Sequence, residues 1–396
     1  MPFLLYMLAV AVFAQGTSEF MLAGLLPAIS DDLGVSIPRA GLLTSSFAVG
    51  MVIGAPAMAV LGRRWPPRWT LTAFLGLFIA AHVVGGLTDD FAVLMATRVV
   101  AALANAGFLA VALSTVAAVV PADLRARALA VVLGGTTLAL IAGVPLGAAL
   151  GAGCGWRTTL WAVAVLSVPA LVAVAVATPT RLGGDTGPGR PRALGAEFGV
   201  LASRPLRIVL LLAVLVNGAT FCVFTYLAPL VTDTAGLDPA AVPVVLALFG
   251  VGAFAGVQVS GRFADRHWRT LLVWGGGGLF LGWGLLAVGA AHPFAVVVCA
   301  PIQGALSFAV GGTLIARVMA HATGAPTLGG SFATAALNLG ALVGPVLGGI
   351  AYAGPGARGP VLAAVVLVLA ALAVGAGHTR VGTRAPDVSA PEDQRG

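Results

Sequence analysis

Glu19 is the one acid in the stretch QGTSEFMLAGLLP, residues 15–27, and it stands inside an apolar run extending from 3 to 29. Even the nearer end of that run lies about ten residues away, roughly 15 Å along a helix, too far for a carboxylate to snorkel to water. An ionised acid at that depth costs several kcal/mol unless it is paired, solvated or protonated, so acids within spans are functional candidates. Removal from water disfavours the charged form of a carboxyl. The chemistry open to Glu19 is therefore the binding and release of a proton. Arg98, in the run 91–120, sits about 10 Å from the nearer end by helix rise, a depth comparable with that of Glu19. A cation there either hydrogen-bonds span-end carbonyls as a structural group or acts electrostatically on the acid, and the residues leave both open.

Gln15, Asn105, Asn217, Gln303 and Asn338 are amides that also lie within apolar runs. Helix-to-helix hydrogen bonding is the expected fate of most, with one or two facing a cavity. Together with Phe221, Phe224 and Tyr226 they would suit a mostly apolar ligand carrying a few hydrogen-bonding groups. No metal centre is expected. The cysteines, Cys154, Cys222 and Cys299, are far apart, and the histidines, His82, His267, His292, His321 and His378, form no ligand pair.

The elements that carry these residues follow from composition. Hydrophobic residues make up 59% of the 396 and charged residues 9%, against about 25% charged in soluble domains. An all-α integral membrane protein is implied, since only helices and closed barrels satisfy their backbone in lipid. Apolar runs at 3–29, 40–62, 70–88, 91–120, 129–151, 157–178, 207–230, 240–261, 270–291, 294–318, 328–351 and 359–377 read as twelve spans. The first carries no basic residue before Arg39, so it lacks the positive leader region of a cleavable signal. The segment 179–206, rich in Pro, Gly and Arg, reads as a linker with one short surface helix around Glu197, between six-span halves at 1–178 and 207–377. Residues 378–396 read as a disordered cytoplasmic tail.

All 21 basic residues are arginine. They are spread singly through loops, which excludes a nucleic-acid-binding face despite the net charge of +7. Without lysine there is neither a phosphate-binding P-loop nor a Schiff base, so any pumping must run on an ion gradient or on a partner's ATP. With the N-terminus inside, seventeen arginines fall in inner loops and tail, and only Arg39, Arg157 and Arg358 in outer loops. Both termini are thus expected in the cytoplasm.

Sliding the chain on itself by 202 residues pairs Gly16 with Gly218, Pro27 with Pro229, Gly50 with Gly252, Gly54 with Gly256 and Arg64 with Arg266, while an offset of 200 pairs Pro145 with Pro345. Parallel six-span repeats of this kind place a substrate site near midplane between the halves. The mate of Glu19 is Phe221, an acid in one half facing an aromatic in the other.

Several strings then carry a family likeness: TSEFMLAGLLPAISDDLGVS, TRVVAALANAG around Arg98, AGVPLGAALG, GWRTTLW, GRFADRHWR and GALVGPVLGG. On these the chain resembles the major facilitator superfamily, and within it the twelve-span drug:proton antiporters, over essentially its whole length. The first fifty residues are most similar to the actinobacterial chloramphenicol exporters. The resemblance implies that spans one and four line the cavity, so that Arg98 tunes Glu19. It also implies that Gly143, Pro145, Gly147, Gly340, Gly344, Pro345, Gly348 and Gly349 form the antiporter packing strings. One departure stands out. The gate motif G-xxx-D-R-x-G-R has Arg63 where its aspartate belongs, followed by Arg64, whereas the second copy keeps Gly261, Asp265, Arg266 and Arg269.

The expectation is a monomeric, cofactor-free exporter in the bacterial inner membrane, driven by the proton gradient and moving a small amphipathic drug such as chloramphenicol or a related phenicol. Efflux of a sugar or other metabolite is the alternative. A remote one is an intramembrane serine hydrolase built on GGSFA at Ser331, for which no in-span histidine is clearly placed to activate the serine.

Overall fold

The computed structural model describes residues 2–61, 65–121, 123–178, 194–325 and 328–382. Among them the chain is helical, with no strand. The first half comprises α1 (Pro2–Phe20), α2 (Leu22–Leu33), α3 (Ile37–Leu61), α4 (Pro67–Leu87), α5 (Phe91–Val119), α6 (Arg125–Leu138), α7 (Val144–Cys154) and α8 (Trp156–Ala177). The short α9 (Leu194–Gly199) belongs to the linker. The second half comprises α10 (Arg204–Thr225), α11 (Leu227–Pro229), α12 (Ala241–Gly289), α13 (Pro293–His321), α14 (Gly329–Tyr352) and α15 (Arg358–Gly382).

Among the described residues eleven helices are long and apolar enough to cross a membrane, and one of them, α12, has 49 residues. A span needs about 20, so α12 supplies two and the total is twelve. The sequence suggests a break between 261 and 270, and the structure places it at His267, whose φ of −121° and ψ of 27° are not helical. The arms fold back on one neighbour, since Gly256 packs on Ala305 and Ala309 of α13 while Gly275 and Gly278 pack on Val310 and Leu306.

Prolines interrupt three other spans. Pro27 lacks the N–H that would bond the Ala23 carbonyl, and its ring crowds the turn before it. The first span is split upstream of it, at Met21, with Met21 N donating to Thr17 O at 2.8 Å and Gly24 N to Met21 O at 3.1 Å. Its repeat mate Pro229 follows a break at Tyr226, whose N–H donates to Val223 O at 3.1 Å. Pro145 follows a π turn at Ala139–Gly143 that joins α6 to α7.

Glycines set the helix contacts, and the repeat is visible in them. Gly50 and Gly54 of α3 lie against the backbone of Val99 and side chains of Ala102 and Ala106 on α5, as Gly252 and Gly256 of α12 lie against Pro301 and Ala305 on α13. Gly340, Gly344 and Gly348, spaced by four, present one bare stripe of α14 to α10, meeting Val214, Gly218 and Cys222. These three glycines of the GALVGPVLGG string therefore pack helices within one half, as Gly143 does against Thr17 and Phe13 of α1 and Gly147 against Thr159 of α8.

The halves meet along two seams. In one, Ser45 of α3 donates to Leu342 O of α14 at 2.9 Å, and Gly349 abuts Pro38. In the other, Gly250 of α12 lies against the backbone of Leu140 and Ile141 in the π turn. Tyr226 crosses over: it packs into the first half's core on Gly41 while its hydroxyl donates to Pro345 O at 2.8 Å. The linker helix α9 is present as expected around Glu197, but Glu197 is buried, its Oε2 accepting the Leu328 N–H at 3.0 Å. Its position beside the first turn of α14 suits a carboxylate.

On the arginine-poor face Arg157 ties three turns together, pairing with Asp32, with Asp89 at 2.6 Å and with Thr88 O at 3.2 Å. Hydrogen bonds from Arg157, then from Trp156, hold the Asp32 carboxyl below its usual range. The folded state thus prefers the carboxylate, and the stability this contributes is present above the unfolded value of about 3.9 and lost as pH falls through the lowered one. Asp32→Asn is expected to lower the thermal midpoint slightly at pH 7, an exposed pair being worth about 1 kcal/mol or less. The gap to wild type should close in melts run below about pH 4. Gly344→Ala is expected to cost about 1–3 kcal/mol, since its methyl would strike the Gly218 carbonyl. Gly284→Ala, whose methyl meets nothing within 4 Å, should melt like wild type.

Candidate functional site

The break in the first span places Glu19 at the penultimate position of α1, where the last carbonyls of a helix lack partners. Arg98 of α5 supplies one. It is 2% exposed, donates from Nη2 to Ser18 O at 2.5 Å and from Nη1 to Ser18 Oγ at 2.9 Å, and stands 4.8 Å from the Phe47 ring centroid. A cation at the C-terminal end of a helix is also favoured by the helix dipole. Arg98 therefore bonds carbonyl and hydroxyl beside Glu19 and not the carboxylate. The ion pairs among the described residues all involve Arg157, and Glu19 keeps part of its surface accessible.

Ser18 links this cation to a third helix. Its Oγ lies 2.7 Å from Nε2 of His82 on α4, and His82 Nδ1 lies 2.8 Å from Phe78 O. Neither Ser18 nor His82 stands out as a site residue in the sequence. The available signal is that His82 is a histidine in the middle of an apolar run.

Next to Glu19, Phe20 carries the first half into an aromatic wall of the second. Ring centroids are 5.9 Å apart for Phe20 and Phe221, 6.2 Å for Phe20 and Phe224, 4.9 Å for Phe224 and Phe249 and 6.4 Å for Phe249 and Phe308. Phe20, Phe249 and Phe308 join the sequence-expected Phe221 and Phe224, the extra members coming from α1, α12 and α13.

The amides divide. Asn217 donates to Leu337 O at 2.6 Å, joining α10 to α14; Gln303 donates to Leu279 O at 3.1 Å, joining α13 to the second arm of α12; Asn338 donates to Thr334 O at 3.0 Å in its own helix. Asn105 lies 3.7 Å from Met51 Sδ. These four are engaged in packing. Gln15 differs: one turn before Glu19 and 1% exposed, it has both amide atoms without a hydrogen-bond partner.

The expected gate of the second half is not closed by an ion pair. Asp265, Arg266 and Arg269 are exposed beside the His267 turn, and Asp265 makes no ion pair among the described residues. Trp268 is instead sandwiched by Arg269 and Arg317, at 5.2 and 4.3 Å. Arg63 and Arg64, the linker stretch 179–193 and the tail beyond 382 lie outside the described residues. Ser331 Oγ donates across the seam to Ala55 O at 3.4 Å, a contact between helices and not with a base. Among the described residues no group of three or more His, Cys, Asp or Glu side chains could hold a metal ion.

Comparison with known proteins matches this architecture. A chloramphenicol resistance protein of Streptomyces lividans is 52% identical over 375 residues, covering 94% of this chain and 95% of that protein. The inner membrane transport protein YdhP of Escherichia coli K12 is 35% identical over 371 residues, covering 93% and 94%. A crystal structure of a bacterial homolog of the human lysosomal transporter Spinster, inward-facing and occupied, superposes with a TM-score of 0.74 at 18% identity, covering 98% of this chain and 99% of that one. The profile of the Major Facilitator Superfamily matches residues 8–330. A multi-pass helical membrane protein built on this repeat, this chain belongs to the Major Facilitator Superfamily of transporters.

Proposed function

We propose that the protein is a proton-coupled antiporter that exports a small amphipathic drug, a phenicol such as chloramphenicol, from the cytoplasm, with both termini cytoplasmic and the monomer as the working unit. The observation that carries the reading is Glu19. It is an acid deep in the bundle, with no ion-pair partner among the described residues, partly accessible, and adjacent in sequence to a wall of five phenylalanines shared by both halves. A phenicol carries one aromatic ring with a few hydroxyl and amide groups. The wall suits the ring by offset or edge contacts, and the unpartnered amide of Gln15 suits a polar substituent. A sugar, hydroxylated all round, would leave most of its polar groups against those rings. The name of the Streptomyces lividans relative points to the same compound class.

In this reading the carboxyl takes a proton from outside and releases it inside, and drug occupies the wall while the carboxyl is charged. No cofactor enters, the proton gradient being the energy source. Glu19→Gln keeps the shape and removes the exchangeable proton. It is expected to abolish drug-induced proton release from inverted vesicles while the protein still inserts and binds drug in detergent. Normal coupling in that variant would remove Glu19 from the mechanism.

Charge counting gives a second expectation. A neutral drug exchanged for one proton moves net charge, so a potential of about 100 mV contributes about 2.3 kcal/mol and one pH unit about 1.4 kcal/mol. Vesicles given a potassium–valinomycin potential at equal pH should accumulate chloramphenicol. Accumulation under a pH gradient but not under a potential would mean electroneutral exchange and a different carrier.

A further inference from the structure

The polar chain behind Glu19 has a direction, and that direction assigns a task to His82. The Phe78 carbonyl can only accept, so the hydrogen of the imidazole sits on Nδ1, 2.8 Å away. Nε2 is then an acceptor, and at 2.7 Å it receives the Ser18 hydroxyl hydrogen. With its hydrogen committed, Ser18 Oγ turns a lone pair to Arg98 Nη1 at 2.9 Å. Each bond orients the next, from guanidinium to hydroxyl to imidazole to carbonyl, across α5, α1 and α4.

Serines on α3 and α8 take another course. Ser46 and Ser167 donate to the carbonyl four residues back, at 2.9 and 2.8 Å, the usual fate of a hydroxyl inside a helix. Ser18 departs from it because His82 offers a better acceptor. We propose that His82 is a positioning residue, acting through the Ser18 hydroxyl to hold the Arg98 guanidinium on the end of α1 and off the Glu19 carboxylate. Without that acceptor Ser18 rotates to its own helix, Nη1 loses its partner, and the guanidinium is released toward Glu19, the charged group to which it is electrostatically coupled.

The inference rests on the reading of Glu19 as proton carrier. The other titratable groups on the packed elements stand mostly at helix ends. Besides Arg98 on α5 and His82 on α4, α4 contributes Arg68 in its first turn, α3 only Arg39, stacked on Phe91 at its first turn, α2 only Asp31 and Asp32 in its last turn, α7 only Cys154 at its end, and α8 only Arg157, held by Asp32 and Asp89; from the second half, α10 brings the buried thiol Cys222 beside Phe221. On α6 the titratable residues Arg125 and Arg127 stand in its first turn.

The test measures the pH dependence of drug-driven proton release in inverted vesicles for wild type, His82→Leu, His82→Gln, Ser18→Ala and Glu19→Gln. A guanidinium pairing with a carboxylate favours its charged form, so His82→Leu and Ser18→Ala should move the half-maximal pH down by about one unit or more. His82→Gln, which keeps an acceptor and cannot titrate, should hold the wild-type profile. Ser18→Ala gives the answer if the leucine variant fails to fold. Unchanged profiles in both His82→Leu and Ser18→Ala, with only lower thermal midpoints, would reduce the chain to a structural role and overturn the proposal. An equal shift in His82→Gln and His82→Leu would overturn it too, since the imidazole would then act through its own charge. Retained coupling in Glu19→Gln would instead bring down the proton-carrier reading beneath it.

Discussion

A guanidinium bonded to the frayed end of a half-helix is the interaction on which this site depends. The first span is split at Met21, the split leaves carbonyls where lipid offers no partner, and Arg98 meets one of them at Ser18. A single arrangement thereby solves two problems of burial, an orphaned acceptor and an unpaired cation. It also leaves Glu19 out of the bond. Had the arginine closed on the carboxylate, the pair would have been a static salt bridge, and an acid locked in its charged form is a poor carrier. The same turn swings Phe20 toward the second half, so the acid and the aromatic wall owe their proximity to one backbone break.

Around this point the helices are held by absence of side chains. The α14 stripe on α10 and the pairs Gly50–α5 and Gly252–α13 bring backbone against backbone within each half. Such contacts gain dispersion energy over the whole helix length and make each half stiff. Between the halves the contacts are of another kind: a serine on a carbonyl, a glycine on a π turn, a tyrosine laid over Gly41. The α3–α14 seam is as extensive as the contact of α14 with α10 inside one half, while the other seam involves the irregular π turn of the fifth span.

Much of this was legible in the sequence because lipid makes errors expensive. A run of apolar residues has one way to satisfy its backbone, so the spans read directly, and an acid or an arginine in such a run stands out by its cost, as Glu19 and Arg98 do. His82 and Ser18 are neutral and tolerable anywhere in a bundle, so only tertiary structure could reveal that they share a hydrogen bond. The amides show the same limit. Periodicity shows that Gln303 and Asn217 are in spans but not toward which neighbour an amide turns, and both turned to packing partners. Prolines announce a lost donor without showing whether the helix will split, as at Met21, or widen into a π turn, as before Pro145. The break between 261 and 270 was legible from the polar stretch around Asp265, but not that it would narrow to one non-helical residue, His267, with helix on either side.

That last feature bears on how the protein feels its surroundings. The first arm of α12 touches the other half at Gly250, and the second displays Val273, Trp274, Leu281, Leu285 and Val288 on its exposed side. A long loop would let the arms tilt independently, whereas here they meet at a single non-helical residue, His267, so that tilt of one is passed to the other. Rocking at the seam would then displace acyl chains along the second arm, so bilayer thickness and lateral pressure enter the free energy of the transport cycle beside the substrate.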